Sequence, residues 1–312
     1  MKAVSIGALN LDIIHQVPHI VQPGETLTST SRTVLAGGKG LNQAVALRRA
    51  GLDVMMAGRI GRDGNTLVQY LESAGIDTSL VTIADGVTGY AVIQVEPQGE
   101  NSIILHPGEN RNLTDHDINQ MINALEPTDA VFFQNEINRV PEIIDRAKKK
   151  GTTIILNPSP FDETISQINL RNVDYLFVNR LEGAALTNKS DPMEITHAIL
   201  HMAPNIKVIV TLGHLGALYA DSHETHAVTA LDVDVKDSTG AGDTFLGYFM
   251  AEVLSTKQPL AKQPLEALQF ASAASALAIS REGAAQAIPT RAEVAHLQER
   301  GAHLQGQGVA RF

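Results

Sequence analysis

Cysteine is absent from this 312-residue chain, and so is tryptophan. Without cysteine there are no disulfides, no thiolate nucleophile and no Cys-ligated zinc or iron–sulfur site. Aromatic residues are scarce at 4%, although 44% of the chain is hydrophobic. The core must therefore be built from Ala, Val, Leu and Ile, as in many α/β proteins. Positive charge is also short: 24 Lys and Arg stand against 34 Asp and Glu, a formal net charge of −10. That balance argues against nucleic acid or an anionic membrane as partner, yet it permits a small anion held by local dipoles. No apolar run approaches the roughly 20 residues of a membrane span. The first residues, from Met1 to Gly7, enter a strand at once, without the layout of a signal peptide. The chain is expected to be soluble and cytoplasmic.

Apolar β-type runs alternate with helical segments along the chain. Strands are expected at 3–6, 54–57, 130–133, 153–156, 175–178 and 207–211, with helices at 41–50, 65–74, 141–150, 181–186 and 193–202. This order predicts a parallel sheet covered on both faces, with ligands bound beyond the carboxyl ends of its strands. Two segments break the alternation. Asp12 to Leu35 and Thr88 to His106 read as β-hairpins, the second turning at Gln98-Gly99-Glu100-Asn101. Together they predict a small lid sheet over the site, which would exclude water. An edge extension or a dimer contact is the plainer reading of the same segments. The tail 301–312 is expected to be loosely held.

Asp237-Ser238-Thr239-Gly240-Ala241-Gly242-Asp243 carries the strongest chemical signal. An alternating run from Val228 to Lys236 predicts a strand before it, and the apolar run from Thr244 to Leu254 predicts a buried helix after it. Gly240, Ala241 and Gly242 then offer bare N–H groups at a helix N-terminus, which suits an anion. A carboxylate there repels phosphate unless it has work to do. Taking the proton of a hydroxyl that attacks the phosphate is such work for Asp243. Ordinary capping explains an isolated Gly-Ala-Gly-Asp equally well. The dinucleotide fingerprint fails because Phe245 replaces its third glycine, and no Gly-Lys followed by Ser or Thr makes a P-loop.

Other polar residues gather at the expected strand ends. Asn10 and Asp12 follow the first strand; Gly37-Gly38-Lys39-Gly40 leads into a helix that carries Asn42. Such donors and acceptors suit sugar hydroxyls, while Asx turns and a flexible loop are the plain alternatives. Glu136, Asn157, Asn179 and Glu182 follow later strands. A carboxylate and an amide at this spacing suit Mg²⁺ waters and phosphate oxygens, or simply a helix cap. Thr211, Gly213 and Gly216 read as a glycine-rich turn beneath a nucleotide or as a tight turn. His223 and His226 lie one residue short of zinc-protease spacing.

Taken in order, these motifs resemble the ribokinase family of carbohydrate kinases nearly end to end. Gly7 to Asp12 is similar to its opening sugar motif and Gly37 to Ala44 to its glycine-rich sugar loop. Gly58 to Asp63 resembles its first signature, with the usual Phe-Gly continuation replaced by Gly64-Asn65. Asp237 to Asp243 resembles its second. The resemblance implies one ribokinase-like domain over 1–312, a three-layer sandwich with a mostly parallel central sheet and a β lid at about 12–36 and 87–107. It implies ATP-dependent phosphorylation of a small sugar, foremost D-ribose at O5, with Asp243 as general base and an anion hole at Gly240, Ala241 and Gly242. Asn10, Asp12, Gly38, Lys39, Asn42 and Glu136 would hold the sugar. Asn179, Thr211, Gly213, Gly216 and Gly242 would meet ATP, and Glu182 would hold Mg²⁺ through water. Asp237, Thr239, Ala278, Arg281 and Gly283 match a monovalent-cation site suited to K⁺; Ala287 stands where the family often has Ser. A homodimer through the lid is implied as well.

His106-Pro107-Gly108-Glu109-Asn110 departs from the family's usual Gly-Ala-Asn, which leaves room for another acceptor: deoxyribose, fructose or a nucleoside. The lack of an added basic cluster argues against a phosphorylated sugar. A non-catalytic sugar or nucleotide sensor on the same fold is disfavoured by Asp243, since a pure binder has no need of that carboxylate. A dinucleotide-dependent dehydrogenase is disfavoured by Phe245.

Overall fold

Short apolar strands and longer amphipathic helices follow one another along the chain. In the computed structural model, which describes residues 1–255 and 264–302, they are β1 (Ala3–Ile6), β2 (Asn10–Gln16), β3 (Ser31–Gly37), α1 (Lys39–Arg49), β4 (Val54–Gly61), α2 (Asn65–Ser73), β5 (Asp77–Ala84), β6 (Gly89–Val95) and β7 (Asn101–His106). Then come α3 (Asp115–Ala124), β8 (Ala130–Gln134), α4 (Val140–Lys149), β9 (Thr153–Asn157), β10 (Tyr175–Asn179), α5 (Arg180–Thr187), α6 (Pro192–Met202) and β11 (Lys207–Thr211). The last are β12 (Ala217–Ala220), β13 (Thr225–Val228), α7 (Ala241–Leu254), α8 (Pro264–Ile279) and α9 (Arg291–Ala302). The tail expected to be loose lies outside the described residues from 303 onward.

Nine strands form one sheet in the order β13-β12-β11-β10-β9-β8-β1-β4-β5. From β11 to β5 every pairing is parallel, and β12 and β13 add antiparallel pairings at one edge. Successive strand residues face opposite layers, as the period of two requires. Phe132 packs in one core with Leu41, Phe249 and Leu268; Phe133 packs in the other with Ile122, Ile144 and Ile199. The result is the expected three-layer α/β sandwich, with α1, α2, α7 and α8 on one face and α3, α4 and α6 on the other. Among the described residues, no helix is long and apolar enough to cross a membrane.

A second sheet has the order β3-β2-β6-β7. Its two hairpins match the two interruptions of the sequence pattern, with the first strand beginning at Asn10. The register aligns Leu35, Asp12, Ala91 and Leu105 across one face.

The strand expected at 228–236 is not formed. Pairing ends at Val228, and the following residues run on without a neighbouring strand to exchange hydrogen bonds. Of the alternating Leu231, Val233 and Val235, Leu231 packs against the core but Val235 is exposed, so the run has no continuous buried face. Lys236 instead donates its N–H to the Ile279 carbonyl, 2.8 Å away, tying this segment to the end of α8.

Helix α7 is buried continuously from Asp243 to Glu252, so it must be apolar all round. It packs against α8 and crosses α1 with the backbones close together. A Cβ placed on Gly247 would lie 2.4 Å from the Ala46 Cβ and 2.9 Å from the Ala46 carbonyl carbon. One turn before this crossing, α7 carries Asp243 and α1 carries Asn42 and Gln43. Alanine within a helix normally favours it over glycine. Here Gly247→Ala is expected to lower stability by about 1–3 kcal/mol, because backbone stands in the way. Chemical denaturation of the purified variant measures this.

Candidate active site

Parallel strands end at a common edge, so whatever follows each strand is delivered to one crevice. Two adjoining cavities open there. One, about 250 Å³, is lined by Lys39, Asn157, Asn179, Glu182, Thr211 and the segment Gly240 to Asp243, among others. The other, about 380 Å³, is lined by Ala8, Asn10, Leu105, Pro107, Asn110, Arg111, Glu136 and Pro160. Between them, the Lys39 N–H donates to Glu136 Oε2 at 2.9 Å.

Asp243 sits in the first turn of α7, preceded by Gly240 in the left-handed region. Its Oδ2 accepts from Asn42 Nδ2 at 3.1 Å and its Oδ1 from Gln43 Nε2 at 2.9 Å. The Ala241 N–H reaches the Ser238 carbonyl at 3.3 Å. The N–H groups of Gly242 and Asp243 meet no acceptor among the described residues. The Gly240 N–H is likewise without an acceptor there, and residues 240–243 together line the 250 Å³ cavity.

The site is rich in carboxylates. Burial, and then the nearby Glu136, push Asp12 up to about 7. Burial also pushes Glu136 up, against the pull of Lys39. Asp243 foremost, with Glu136 and Glu182, holds the Lys39 ammonium above its ordinary range against the opposing effect of burial. Glu182 and Asn179 form a reciprocal cap on α5: Glu182 N–H donates to Asn179 Oδ1 at 2.9 Å, and Asn179 N–H to Glu182 Oε2 at 3.0 Å. This uses one Glu182 carboxylate oxygen and leaves the other.

Several expected residues thus converge: Asn10, Asp12, Lys39, Asn42, Glu136, Asn179, Glu182, Thr211 and Asp243. Gly38 caps α1 beside them. Gly213 and Gly216 lie in the turn after Thr211 and do not line the cavity. Asp237 lies behind α7. Its Oδ1 accepts from the Thr239 N–H at 2.9 Å and its Oδ2 from the Gly283 N–H at 3.0 Å. It thereby joins the loop before α7 to the turn of Arg281 and Gly283 that follows Ala278 at the end of α8. The Arg281 side chain points to Glu293.

Other residues of the site were not expected. Asn110 donates from Nδ2 to Asn10 Oδ1 at 2.8 Å and brackets the Leu9 backbone. Arg59 holds the same turn from behind through Glu109 at 2.6 Å and reaches Asp117 at 2.9 Å. Arg111 lines the larger cavity and Gln43 and Gln134 lie behind the base. Their signal was faint: polar residues adjoining Asn42 and Glu136 in sequence.

A family model described as pfkB family carbohydrate kinase matches residues 1–291. The chain belongs to this family. A ribokinase of Haemophilus influenzae is 32% identical over 303 residues, covering 94% of this chain and 97% of that protein. A deoxyribokinase of Salmonella typhi is 30% identical over 260 residues, covering 80% and 84%. Among solved structures, a ribokinase of Thermotoga maritima superposes with a TM-score of 0.84 at 30% identity, covering 96% of this chain and 99% of that one. Arabidopsis thaliana ribokinase complexed with ribose and ATP gives 0.82 at 28% identity, covering 95% and 98%.

In this carbohydrate kinase the raised Asp12 has a measurable consequence. Between the usual 3.8 and about 7 the unfolded chain releases a proton that folded Asp12 retains. Asp12 therefore supports stability fully at low pH, and its contribution is lost as pH rises toward 7. Asp12→Asn is expected to stabilise the ligand-free protein more at pH 8 than at pH 5, as read by denaturant unfolding at the two pH values.

Proposed function

We propose that this kinase transfers the γ-phosphoryl group of ATP to a hydroxyl of a small sugar, with O5 of D-ribose as the first acceptor to test. The observation that carries this reading is the Asp243 carboxylate, buried at the start of α7 beside unused helix N–H groups. Asp243 takes the acceptor hydroxyl's proton. The oxygen forms a bond to the γ-phosphorus, and the bond to the β–γ bridging oxygen breaks, leaving its electron pair on ADP. The N–H groups at Gly240 to Asp243, chiefly those of Gly240, Gly242 and Asp243, face the charge spread over the transferring group. Asn10, Asp12, Gly38, Lys39, Asn42 and Glu136 hold the sugar. Asn179, Thr211 and Gly242 lie on the nucleotide side, with Gly213 and Gly216 shaping the turn next to it.

The carboxylate oxygen that Glu182 leaves free, at the wall of the smaller cavity, fits a water-bridged Mg²⁺. When bound with ATP, Mg²⁺ offsets phosphate charge. A monovalent cation such as K⁺ fits the oxygen donors of Asp237, Thr239, Ala278, Arg281 and Gly283, which Asp237 draws together. Arg281 would contribute its carbonyl, since its side chain is engaged elsewhere.

The test is ADP release from Mg-ATP across ribose, deoxyribose, fructose and nucleosides, with and without potassium. Ribose is expected to give the fastest release, and Asp243→Asn to lower it roughly 10²–10⁴-fold in folded protein. Near-normal turnover in that variant would remove Asp243 from the base role. A preference for another sugar would keep the mechanism and reassign the acceptor.

The β3-β2-β6-β7 sheet is inferred to act as a lid and to pair with a second copy of the chain. The face that carries Asp12 continues past the cavity as the cross-strand row Thr33, Ile14, Ile93 and Ile103, and Ile103 is exposed. A matching row from another copy would cover it. Mass measurement in solution is expected to give a dimer, and Ile103→Asp a monomer; a monomeric wild-type protein would overturn the pairing.

A further inference from the structure

Behind Asp243 lies a chain of side-chain amides that meets the smaller cavity at Asn157. Gln43, on α1, donates from Nε2 to Asp243 Oδ1 at 2.9 Å and to Asn157 Oδ1 at 3.3 Å. Its own Oε1 accepts from Gln134 Nε2 at 2.6 Å. Gln134 is the last residue of β8, and Asn157 the last of β9. Asn157 is itself oriented, since its Nδ2 donates to the Phe177 carbonyl at 3.0 Å. Gln43 and Gln134 are both fully buried.

The chemistry of these groups permits one arrangement. A carboxylate accepts and cannot donate, so Gln43 must present its NH₂ to Asp243. Turning the amide over would put its oxygen against Asp243 Oδ1 and Asn157 Oδ1, and its NH₂ against that of Gln134. Both Nε2 hydrogens and the Oε1 of Gln43 are engaged, at Asp243, Asn157 and Gln134. Asn42 differs: it reaches Asp243 through Nδ2, but its Oδ1 is buried without a partner among the described residues. Asn42 is thus held through one side-chain hydrogen bond, whereas Gln43 is held through three. Gln134 Oε1 is also without a partner among the described residues, but the Gly7 backbone lies close against it, since a Cβ added there would come within 1.9 Å of this oxygen. A charge-assisted bond from a locked donor holds a carboxylate more firmly than one from a mobile donor.

We propose that Gln43 and Gln134 are positioning residues, a buried amide relay that fixes the Asp243 carboxylate in the direction from which it takes the acceptor proton. The relay deepens the base role proposed for Asp243 and rests on it. Removing its donor lets the carboxylate turn, which slows the chemical step without touching sugar or ATP contacts. For Gln43→Met, kcat is expected to fall roughly 10–100-fold, with the KM values for sugar and ATP within about twofold of wild type. Gln134→Met, which does not touch Asp243, is expected to lower kcat in the same direction. The double variant should match Gln43→Met alone, because one chain is cut twice. A merely structural role would leave kcat near wild type in the folded variants or give losses that multiply, and either result overturns the relay. A second readout needs no turnover. With ¹⁵N-labelled glutamine, Asp243→Asn is expected to shift the side-chain amide signals of Gln134 as well as Gln43. Unchanged Gln134 signals would overturn the relay, while a wild-type protein inactive on every sugar would overturn the kinase reading and leave this spectral test standing.

Discussion

The approach of α1 to α7 at Ala46 and Gly247 sets the geometry on which the site depends. Only a residue without a side chain lets the two backbones come so near. One turn away, that nearness puts Asn42 and Gln43 within hydrogen-bonding distance of Asp243, 200 residues further along the chain. Each helix also begins at this edge of the sheet. Their dipole ends face the same crevice, with the unpaired N–H groups concentrated at the start of α7, so packing one turn away aims the electrostatics there.

The crevice is not simply positive. Helix termini and Lys39 offer positive potential, yet Asp12, Glu136, Glu182 and Asp243 crowd around them. The cost is visible in Asp12, pushed up to about 7, and in Lys39, whose ammonium its acidic neighbours stabilise. An unaccompanied triphosphate would meet these carboxylates as like charges. Charge supplied with the nucleotide would offset that repulsion, and Glu182 commits only one carboxylate oxygen to the α5 cap. The acidic side of the site therefore favours polyhydroxy acceptors and metal-bound phosphate over free anions.

The layered fold was legible because its signals are local. Buried parallel strands such as Ala130–Gln134 are short and apolar, and the helices between them carry the 3.6-residue period. Asp243 was legible because anion-hole and base residues adjoin in sequence. The strand expected at 228–236 failed for a non-local reason: alternation marks a possible strand, but a strand also needs a neighbour to pair with. The links from Gln43 to Gln134 and from Arg59 to Glu109 and Asp117 were equally hidden. Each spans 50 residues or more, and a lone Gln or Arg in a helix or strand looks like ordinary surface until the fold brings its partner.

The turn from His106 to Arg111 shows how such hidden links bear on the acceptor. Burial pushes Asp117 toward the neutral form, but hydrogen bonds from Thr114 and Thr82 and the charge of Arg59 keep it below the usual carboxylate range. Arg59 spans this carboxylate and Glu109, both buried. Buried ion pairs contribute little net stability for their desolvation cost, but they are intolerant of misplacement. Here the pair fixes a turn whose next two residues face outward to the acceptor side: Asn110 holds Asn10, and Arg111 lines the larger cavity. Ribokinase and deoxyribokinase relatives reach similar identity to this chain, though over 94% and 80% of it, so identity alone does not separate their acceptors. This wall, held from behind by Arg59 and lining the larger cavity, is the part of the site where the sequence departs from the family's usual Gly-Ala-Asn.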